Sequence, residues 1–332
     1  MPIRLAINGF GRIGRAALRA VLEYGRSDIE VVAINDIASA ETCAHLLKYD
    51  SVHGRFAYDV TSTGEAIQVG DSEIHATSER DPERLPWAGV DVVLECTGIF
   101  TSAESAGRHL ESGAKRVLLS APGKNVAKTI VFGVNHDTLD ASDRIVSNAS
   151  CTTNCLAPVA QVLNDAFGIE TGYMTTVHAY TGDQRVLDAP HSDLHRARAS
   201  AVSMIPTSTG AARAISLVLP ELAGRLDGTA IRVPLPNVSV VDLKFVPSRT
   251  VTSEEINSAI VEAANGRLNG ILGVTDEPLV SIDFNHDPRS SVFALDQTTV
   301  TEGGLVRILS WYDNEWGYAN RLLDTAVAMA RA

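Results

Sequence analysis

Short apolar runs rich in Val and Ile alternate with stretches of helical spacing through the first third of the chain, the pattern of βαβ units built on a parallel sheet. The runs predict strands at Ile3–Ile7, Ile29–Ile34, Asp91–Cys96, Arg116–Leu119, Thr129–Phe132 and Ile145–Ser147. Between the first two, Ala16, Ala17, Leu18, Ala20, Val21 and Leu22 recur at helical spacing, which predicts a crossover helix and one mononucleotide-binding unit. Beyond about residue 150 the pattern changes to longer strands: Thr171–Tyr180, Thr229–Val233, Val238–Val246, Ser291–Leu295 and Leu305–Trp311. Val238, Val240, Leu243 and Phe245 partly alternate with polar neighbours, as in a largely antiparallel sheet with one covered face. Thr252 and Glu255 form a capping box ahead of Ile256, Ala259, Ile260 and Ala263. The fold class predicted is α/β: a doubly wound parallel sheet of Rossmann type, followed by an α+β domain with a largely antiparallel sheet.

The turn after the first predicted strand sharpens this. Gly9, Gly11 and Gly14 make a G-x-G-x-x-G between strand and helix, where the first glycine permits the tight turn, the second lets a pyrophosphate approach the backbone, and the third lets helix and strand pack closely. Asp36 ends the second strand, twenty-two positions after Gly14, where a carboxylate accepts hydrogen bonds from ribose hydroxyls and repels a 2′-phosphate. NAD is therefore favoured over NADP.

Composition changes the picture less. The 332 residues are 45% hydrophobic, with 28 Lys+Arg against 40 Asp+Glu and a net charge of -12, which argues against nucleic acid and anionic membranes as partners. No apolar run is long enough to span a bilayer and the first ten residues lack an apolar signal core, so a cytoplasmic location is expected. Four cysteines are too few for a disulfide scaffold. Cys151 stands where an apolar helix begins after a strand, and the positive end of that helix favours a thiolate. Cys155, one turn further, is expected to be a small buried hydrophobe, and Cys43 and Cys96 to be core. No metal site is expected, because C-x3-C offers two ligands and nothing completes a tetrahedral set. Among nine histidines, His45, His53, His109 and His286 are expected at the surface, whereas His178 closes a strand and opens a loop, the position of a base for Cys151.

NGFGRIGR, ERDPERLPW, SNASCTTNCLAP, HAYTGDQ, PTSTGAA, PNVSVVDL and SWYDNEWGY, in that order, together resemble the phosphorylating glyceraldehyde-3-phosphate dehydrogenase family. The resemblance implies a homotetramer whose dinucleotide-binding domain, residues 1–150, is completed by a C-terminal helix at 316–332, with a catalytic domain at 151–315. It implies that Cys151 attacks the aldehyde of glyceraldehyde 3-phosphate and that His178 is its base. A hemithioacetal passes hydride to NAD, and inorganic phosphate then takes the acyl group from the resulting thioester as 1,3-bisphosphoglycerate. For the two anions it implies Ser150, Thr152, Thr181, Arg196, Thr209, Gly210 and Arg232. For the cofactor it implies Arg12, Ile13, Asp36, Arg80, Ser120 and Asn314 beside the glycines. Ala189 replaces a frequent leucine near the adenosine ribose while Pro190 is kept, which leaves NADP use open; His195 and Leu235 also depart from the family pattern. Two rival readings are an erythrose-4-phosphate dehydrogenase, which hydrolyses its thioester, and an NAD-binding thiol redox sensor with Cys151 as its oxidation target.

Overall fold

The computed structural model describes residues 1–332 and divides into two compact units, Met1–Ser150 with Ala319–Ala332, and Cys151–Tyr318. In chain order the first unit holds β1 (Ile3–Asn8), α1 (Arg12–Glu23), β2 (Ile29–Asn35), α2 (Ala40–Lys48), the short hairpin β3 (Tyr49–Asp50) and β4 (Gly54–Arg55), then β5 (Val60–Ser62), β6 (Ala66–Val69) and β7 (Ser72–Thr77). It continues with β8 (Val92–Glu95), α3 (Ala103–Glu111), β9 (Arg116–Leu119), β10 (Lys128–Thr129) and β11 (Ile145–Ser147). Nine of these strands form one sheet in the order β10-β11-β9-β8-β1-β2-β7-β6-β5, parallel from β10 to β7 and antiparallel at the β7-β6-β5 edge. From β1 the chain goes first to β2 on one side and later to β8 on the other. The strand order therefore reverses at β1, the place in such sheets where ligands bind beyond the carboxyl ends of the strands. Leu5, Ile7, Val92–Leu94 and Val117–Leu119 are buried, as the continuous apolar runs of a two-sided sheet require.

One predicted strand differs. The run expected at Thr129–Phe132 pairs only at Lys128–Thr129. The Asn135 side chain donates to Thr129 O and accepts from Val131 N, which turns the chain while Ile130 and Val131 stay buried.

The second unit comprises α4 (Cys151–Phe167), β12 (Ile169–Ala179), β13 (Ile205–Ser208), α5 (Ala211–Ala214), β14 (Leu226–Val233), β15 (Ser239–Pro247), α6 (Ser253–Asn265), β16 (Leu272–Thr275), β17 (Ser291–Ala294), β18 (Thr299–Val300) and β19 (Val306–Tyr312). Helix α7 (Trp316–Arg331) begins in it, and its residues from Ala319 onward belong to the first unit. The sheet order is β13-β14-β12-β15-β19-β17-β16, largely antiparallel, with parallel pairs at β12-β14 and β16-β17. Helix α4 packs on β15, β17, β19 and α6 through Leu156, Val159, Ala160 and Leu163. The Thr252–Glu255 capping box forms as predicted and starts α6.

Candidate active site and cofactor cavity

In the first unit the carboxyl ends of the central strands surround a cavity of about 460 Å³, of a size typical for small ligands. Gly9, Gly11, Asp36 and Arg80 line it, together with Cys96 and Thr97 from the segment after β8. The three glycines have separate reasons. Gly9 has φ +91°, and a Cβ there would lie 2.6 Å from Thr97 N, so the crossing of the β1 and β8 loops excludes any side chain. A Cβ on Gly14 would lie 2.4 Å from Gly9 O, the close packing of helix on turn. Nothing of the protein lies within 4 Å of a Cβ on Gly11, so the room left there faces the cavity. As the N-cap of α1, Gly11 has no side chain to cap the first-turn amides, which suits an anion held by backbone. Asp36 accepts from Phe10 N at 2.8 Å and Ala38 N at 2.9 Å, tying the glycine turn to the end of β2. Arg12, Ile13 and Ser120 stand outside this lining: Arg12 pairs with Asp50 at 2.6 Å, and Ser120 N donates to Glu95 O.

Four cysteine and histidine expectations are corrected here: Cys96, His109 and, less completely, His286 and His53, which is half-buried. Cys96 is half-buried on the cavity wall rather than in the core, with its thiol pushed up to about 12 by desolvation. His109 has no exposed surface, because its neighbours in the fold, Trp87, Glu95 and Asn8, supply the polar partners that its sequence neighbours only seemed to leave to water. His286 is half-buried and stacked on Trp316 at 3.6 Å, while His45 is exposed as expected.

In the second unit Cys151 is the first residue of α4, two positions after Ala149, whose φ of +56° places a non-glycine residue in the left-handed region just before the helix. Cys151 Sγ lies 3.5 Å from His178 Nε2. His178 Nδ1 lies 2.6 Å from the carbonyl oxygen of Ala179, to which only a protonated Nδ1 donates, and 3.0 Å from Arg232 Nη1, from which only an unprotonated Nδ1 accepts, so these two neighbours favour opposite tautomers of the ring. Tyr312 sits edge-on to the imidazole and hydrogen-bonds Thr152 Oγ1 and Thr176 Oγ1, both at 2.9 Å, joining the start of α4 to β12. The Thr152 hydroxyl is thus directed into the core.

Burial works against either charge alone. It raises the Cys151 thiol, opposed by the Arg232 charge and the Thr152 and Cys151 amides, and it lowers His178 to about 3, with Arg232 acting in the same direction. Desolvation thus acts against the thiolate that the helix terminus and Arg232 favour. Proton transfer from Sγ to Nε2 creates both charges together, where they attract. Cys155, one turn on, is buried against Ser291 and Ser310 with its thiol pushed up to about 12 by desolvation, as a packing residue should be.

Parallel pairing of β12 with β14 sets Arg232 in register with His178. Arg232 Nη1 donates to Ala179 O at 2.9 Å and reaches Thr181 Oγ1 at 3.4 Å, while its buried Nε has no protein partner. Arg196 lies on β13 through Thr207 Oγ1, and is held by Asp183 at 2.7 Å and Asp193 at 3.7 Å. Thr209 and Gly210 follow β13 directly, with Thr209 Oγ1 accepting from Ala211 N and Gly210 at the N-cap of α5. Asn314 Oδ1 accepts from Ser239 Oγ, which itself accepts from Ala179 N, so the amide of Asn314 is oriented with Nδ2 as its outward donor. Ser150 immediately precedes Cys151. Tyr312, Asp183 and Ser239 were not singled out from sequence. Tyr312, Asp183 and Ser239 fall within the SWYDNEWGY, HAYTGDQ and PNVSVVDL blocks, which is the signal that could have found them.

A thiol 3.5 Å from a buried imidazole, in a chain that also builds a glycine turn over a ligand-sized cavity, is the pairing of the thiol-dependent dinucleotide dehydrogenases. Comparison with known proteins narrows this. Residues 3–103 match the family model described as glyceraldehyde 3-phosphate dehydrogenase, NAD binding domain, and residues 150–314 match glyceraldehyde 3-phosphate dehydrogenase, C-terminal domain. Glyceraldehyde-3-phosphate dehydrogenase of Cereibacter sphaeroides is 66% identical over 100% of this chain and 99% of its own length. That of Xanthobacter flavus is 65% identical with the same coverage, and that of Geobacillus stearothermophilus 56% identical over 99% of both chains. The chain belongs to the glyceraldehyde-3-phosphate dehydrogenase family: it is an oxidoreductase with NAD as its cofactor.

Proposed function

We propose that this chain oxidises glyceraldehyde 3-phosphate to 1,3-bisphosphoglycerate with NAD and inorganic phosphate. The observation that carries the reading is the 3.5 Å approach of Cys151 Sγ to Nε2 of His178, with Arg232 Nη1 3.0 Å from Nδ1 of the same ring. Sγ bonds to the aldehyde carbon as its proton passes to Nε2, and the imidazolium returns that proton to the carbonyl oxygen, giving a hemithioacetal on Cys151. NAD, when bound, supplies the hydride acceptor for the oxidation. His178 takes the hydroxyl proton as the hemithioacetal becomes a thioester. A phosphate oxygen then bonds to the acyl carbon, the carbon–sulfur bond breaks, and His178 gives the proton back to the departing sulfur. Ser150, Thr181, Arg196, Thr209, Gly210 and Arg232 hold the substrate phosphate and the attacking phosphate, with Thr152 contributing its main chain alone because its hydroxyl is turned to Tyr312; the Arg232 Nε without a protein partner supports an anion at that place.

Residues 1–150 with 316–332 act as the dinucleotide-binding domain and 151–315 as the catalytic domain. The open position at Gly11 and the Asp36 carboxylate on the cavity wall support NAD there, favoured over NADP. Arg12, Ile13, Arg80 and Ser120 complete the nucleotide site in this reading, and Asn314 Nδ2 serves the nicotinamide amide. The chain assembles as a homotetramer. Support comes from the irregular segment 180–204, where Val186, Leu187, Leu194, Val202 and Met204 are each at least 74% exposed, more apolar surface than a monomer ordinarily leaves in water. Four free thiols, and no helix long and apolar enough to cross a membrane, support a cytoplasmic location.

Phosphate dependence tests the assignment. With glyceraldehyde 3-phosphate and NAD, omission of phosphate should hold NADH formation near one turnover per chain, and phosphate should restore steady turnover. Equal steady rates with and without phosphate would overturn it in favour of a thioester-hydrolysing enzyme of the erythrose-4-phosphate kind.

A further inference from the structure

Beneath the cavity of the first unit runs a buried row of polar side chains that the chemistry above does not use. It crosses the carboxyl ends of the four strands β8, β1, β2 and β7 through Glu95, Asn8, Asn35 and Thr77. Glu95, Asn8 and Asn35 are at most 4% exposed. Asn8 and Asn35 themselves line the cavity, whereas Glu95 and Thr77 do not and reach it through Thr97 and Glu79, each two positions further along the chain.

The hydrogen bonds along the row have a single sense. Trp87 Nε1 donates to His109 Nδ1 at 2.9 Å, so His109 carries its proton on Nε2 and donates to Glu95 Oε2 at 2.9 Å. Asn8 Nδ2 donates to the same oxygen at 2.6 Å. That choice leaves Asn8 Oδ1 to accept from Asn35 Nδ2 at 2.7 Å, and Asn35 Oδ1 to accept from Thr77 Oγ1 and Glu79 N, both at 2.9 Å. The other oxygen of Glu95 accepts from Thr97 N at 2.8 Å and from the Thr97 hydroxyl, which in turn accepts from Ile99 N at 3.0 Å. Glu95 therefore receives four donors and gives none. Its Oε2 sets which way the Asn8 amide points, to match an Asn35 amide that Glu79 holds from the other side through Glu79 N to Oδ1 and Nδ2 to Glu79 O, both at 2.9 Å, and its Oε1 holds the Thr97 segment.

We infer that Glu95 is a positioning residue for the dinucleotide: without touching it, Glu95 sets the polarity of the row that shapes the cavity walls. This rests on reading the cavity as the NAD site. In Glu95→Gln one acceptor becomes an NH₂ donor. If that donor faces Asn8, the Asn8 amide turns over and sets its Nδ2 against Asn35 Nδ2, unless Asn35 turns as well and gives up both of its bonds to Glu79. If it faces Thr97, the clamp on the Thr97 amide is lost. Either way a wall of the cavity moves, and a misplaced buried donor of this kind costs about tenfold in an equilibrium constant.

The test measures NAD binding by calorimetry, together with KM for NAD, kcat and thermal midpoint, on the whole chain. Glu95→Gln should weaken NAD binding and raise KM for NAD about tenfold, with kcat at saturating NAD and KM for glyceraldehyde 3-phosphate within about twofold of the parent. Thr77→Val removes a donor at the far end of the row with little change of shape, and should move NAD binding in the same direction by about threefold. Should Glu95→Gln fail to fold, Thr77→Val decides alone. A lower midpoint or lower kcat with unchanged NAD affinity would reduce the row to a structural role and overturn the inference. Gly11→Ala tests the cavity reading separately, because its Cβ meets no protein atom within 4 Å and fills only the cavity. If Gly11→Ala leaves NAD binding unchanged, the cavity reading falls. If Gly11→Ala weakens binding while Glu95→Gln and Thr77→Val do not, the inference about Glu95 alone falls.

Discussion

The two units assemble their sites by different means. The first builds its cavity mainly from backbone: a glycine turn confined by neighbouring main chain at Gly9 and Gly14, helix amides without a side-chain cap, and a carboxylate fixed to the turn. The second builds from side chains far apart in sequence, since Cys151 and His178 stand 27 residues apart and Arg232 a further 54 from His178. What joins them is topology, the parallel pairing of β12 with β14 and the link of Tyr312 to both α4 and β12. A site made of backbone tolerates side-chain changes that leave its turns intact and answers mostly in affinity. A site made of a few convergent side chains answers in rate.

Substitutions in the second unit should sharpen this division. The largest effect is expected from Cys151→Ser, which keeps shape and hydrogen bonding but replaces the nucleophile: turnover should fall about 10⁴-fold or more while calorimetric NAD affinity stays within about twofold of the parent. Loss of both together would mean that the two functions are not separable as described. His178→Asn should lower kcat by about 10² to 10⁴-fold, the usual contribution of a positioned base. Its pH dependence follows from the shifts at the pair. With His178 held down to about 3, the parent has a neutral base throughout the neutral range, so alkylation of Cys151 by iodoacetamide should be nearly flat there. Without the base, attack depends on thiolate from a thiol raised by burial, so alkylation in His178→Asn should climb steeply as pH rises toward and past the ordinary thiol range. Parallel pH profiles in the two proteins would remove His178 from the role of base.

The same division explains what could be read from the sequence. The glycine turn, the crossover helix and Asp36 were legible because strand, turn, helix and acid are contiguous, and each leaves a local signature. The cap at Thr252 and Glu255 was legible for the same reason. The run at 129–132 was read as a strand because its apolar residues are buried, but its side-chain partner Asn135, three residues beyond, turns the chain instead. His109 looked like a surface residue among Arg108, Glu111 and Ser112, because burial by Trp87 and Glu95 is a property of the fold and not of sequence neighbours. From spacing alone His178 was no more than a candidate base. Desolvation was invisible too: the helix start favours a thiolate at Cys151, and the burial that raises the thiol is a property of the fold that no sequence neighbour announces.

The central claim is that Cys151 carries the acyl group, and the direct measurement is to trap that group. The chain is mixed with glyceraldehyde 3-phosphate and NAD without phosphate, quenched in acid after one turnover, digested and analysed by mass spectrometry. The account predicts a glyceryl-phosphate thioester on the peptide containing Cys151, at the carbon–sulfur bond, in amount matching the NADH formed and discharged by added phosphate. An adduct on Cys43, Cys96 or Cys155 instead, or NADH formed with no adduct on any cysteine, would contradict it.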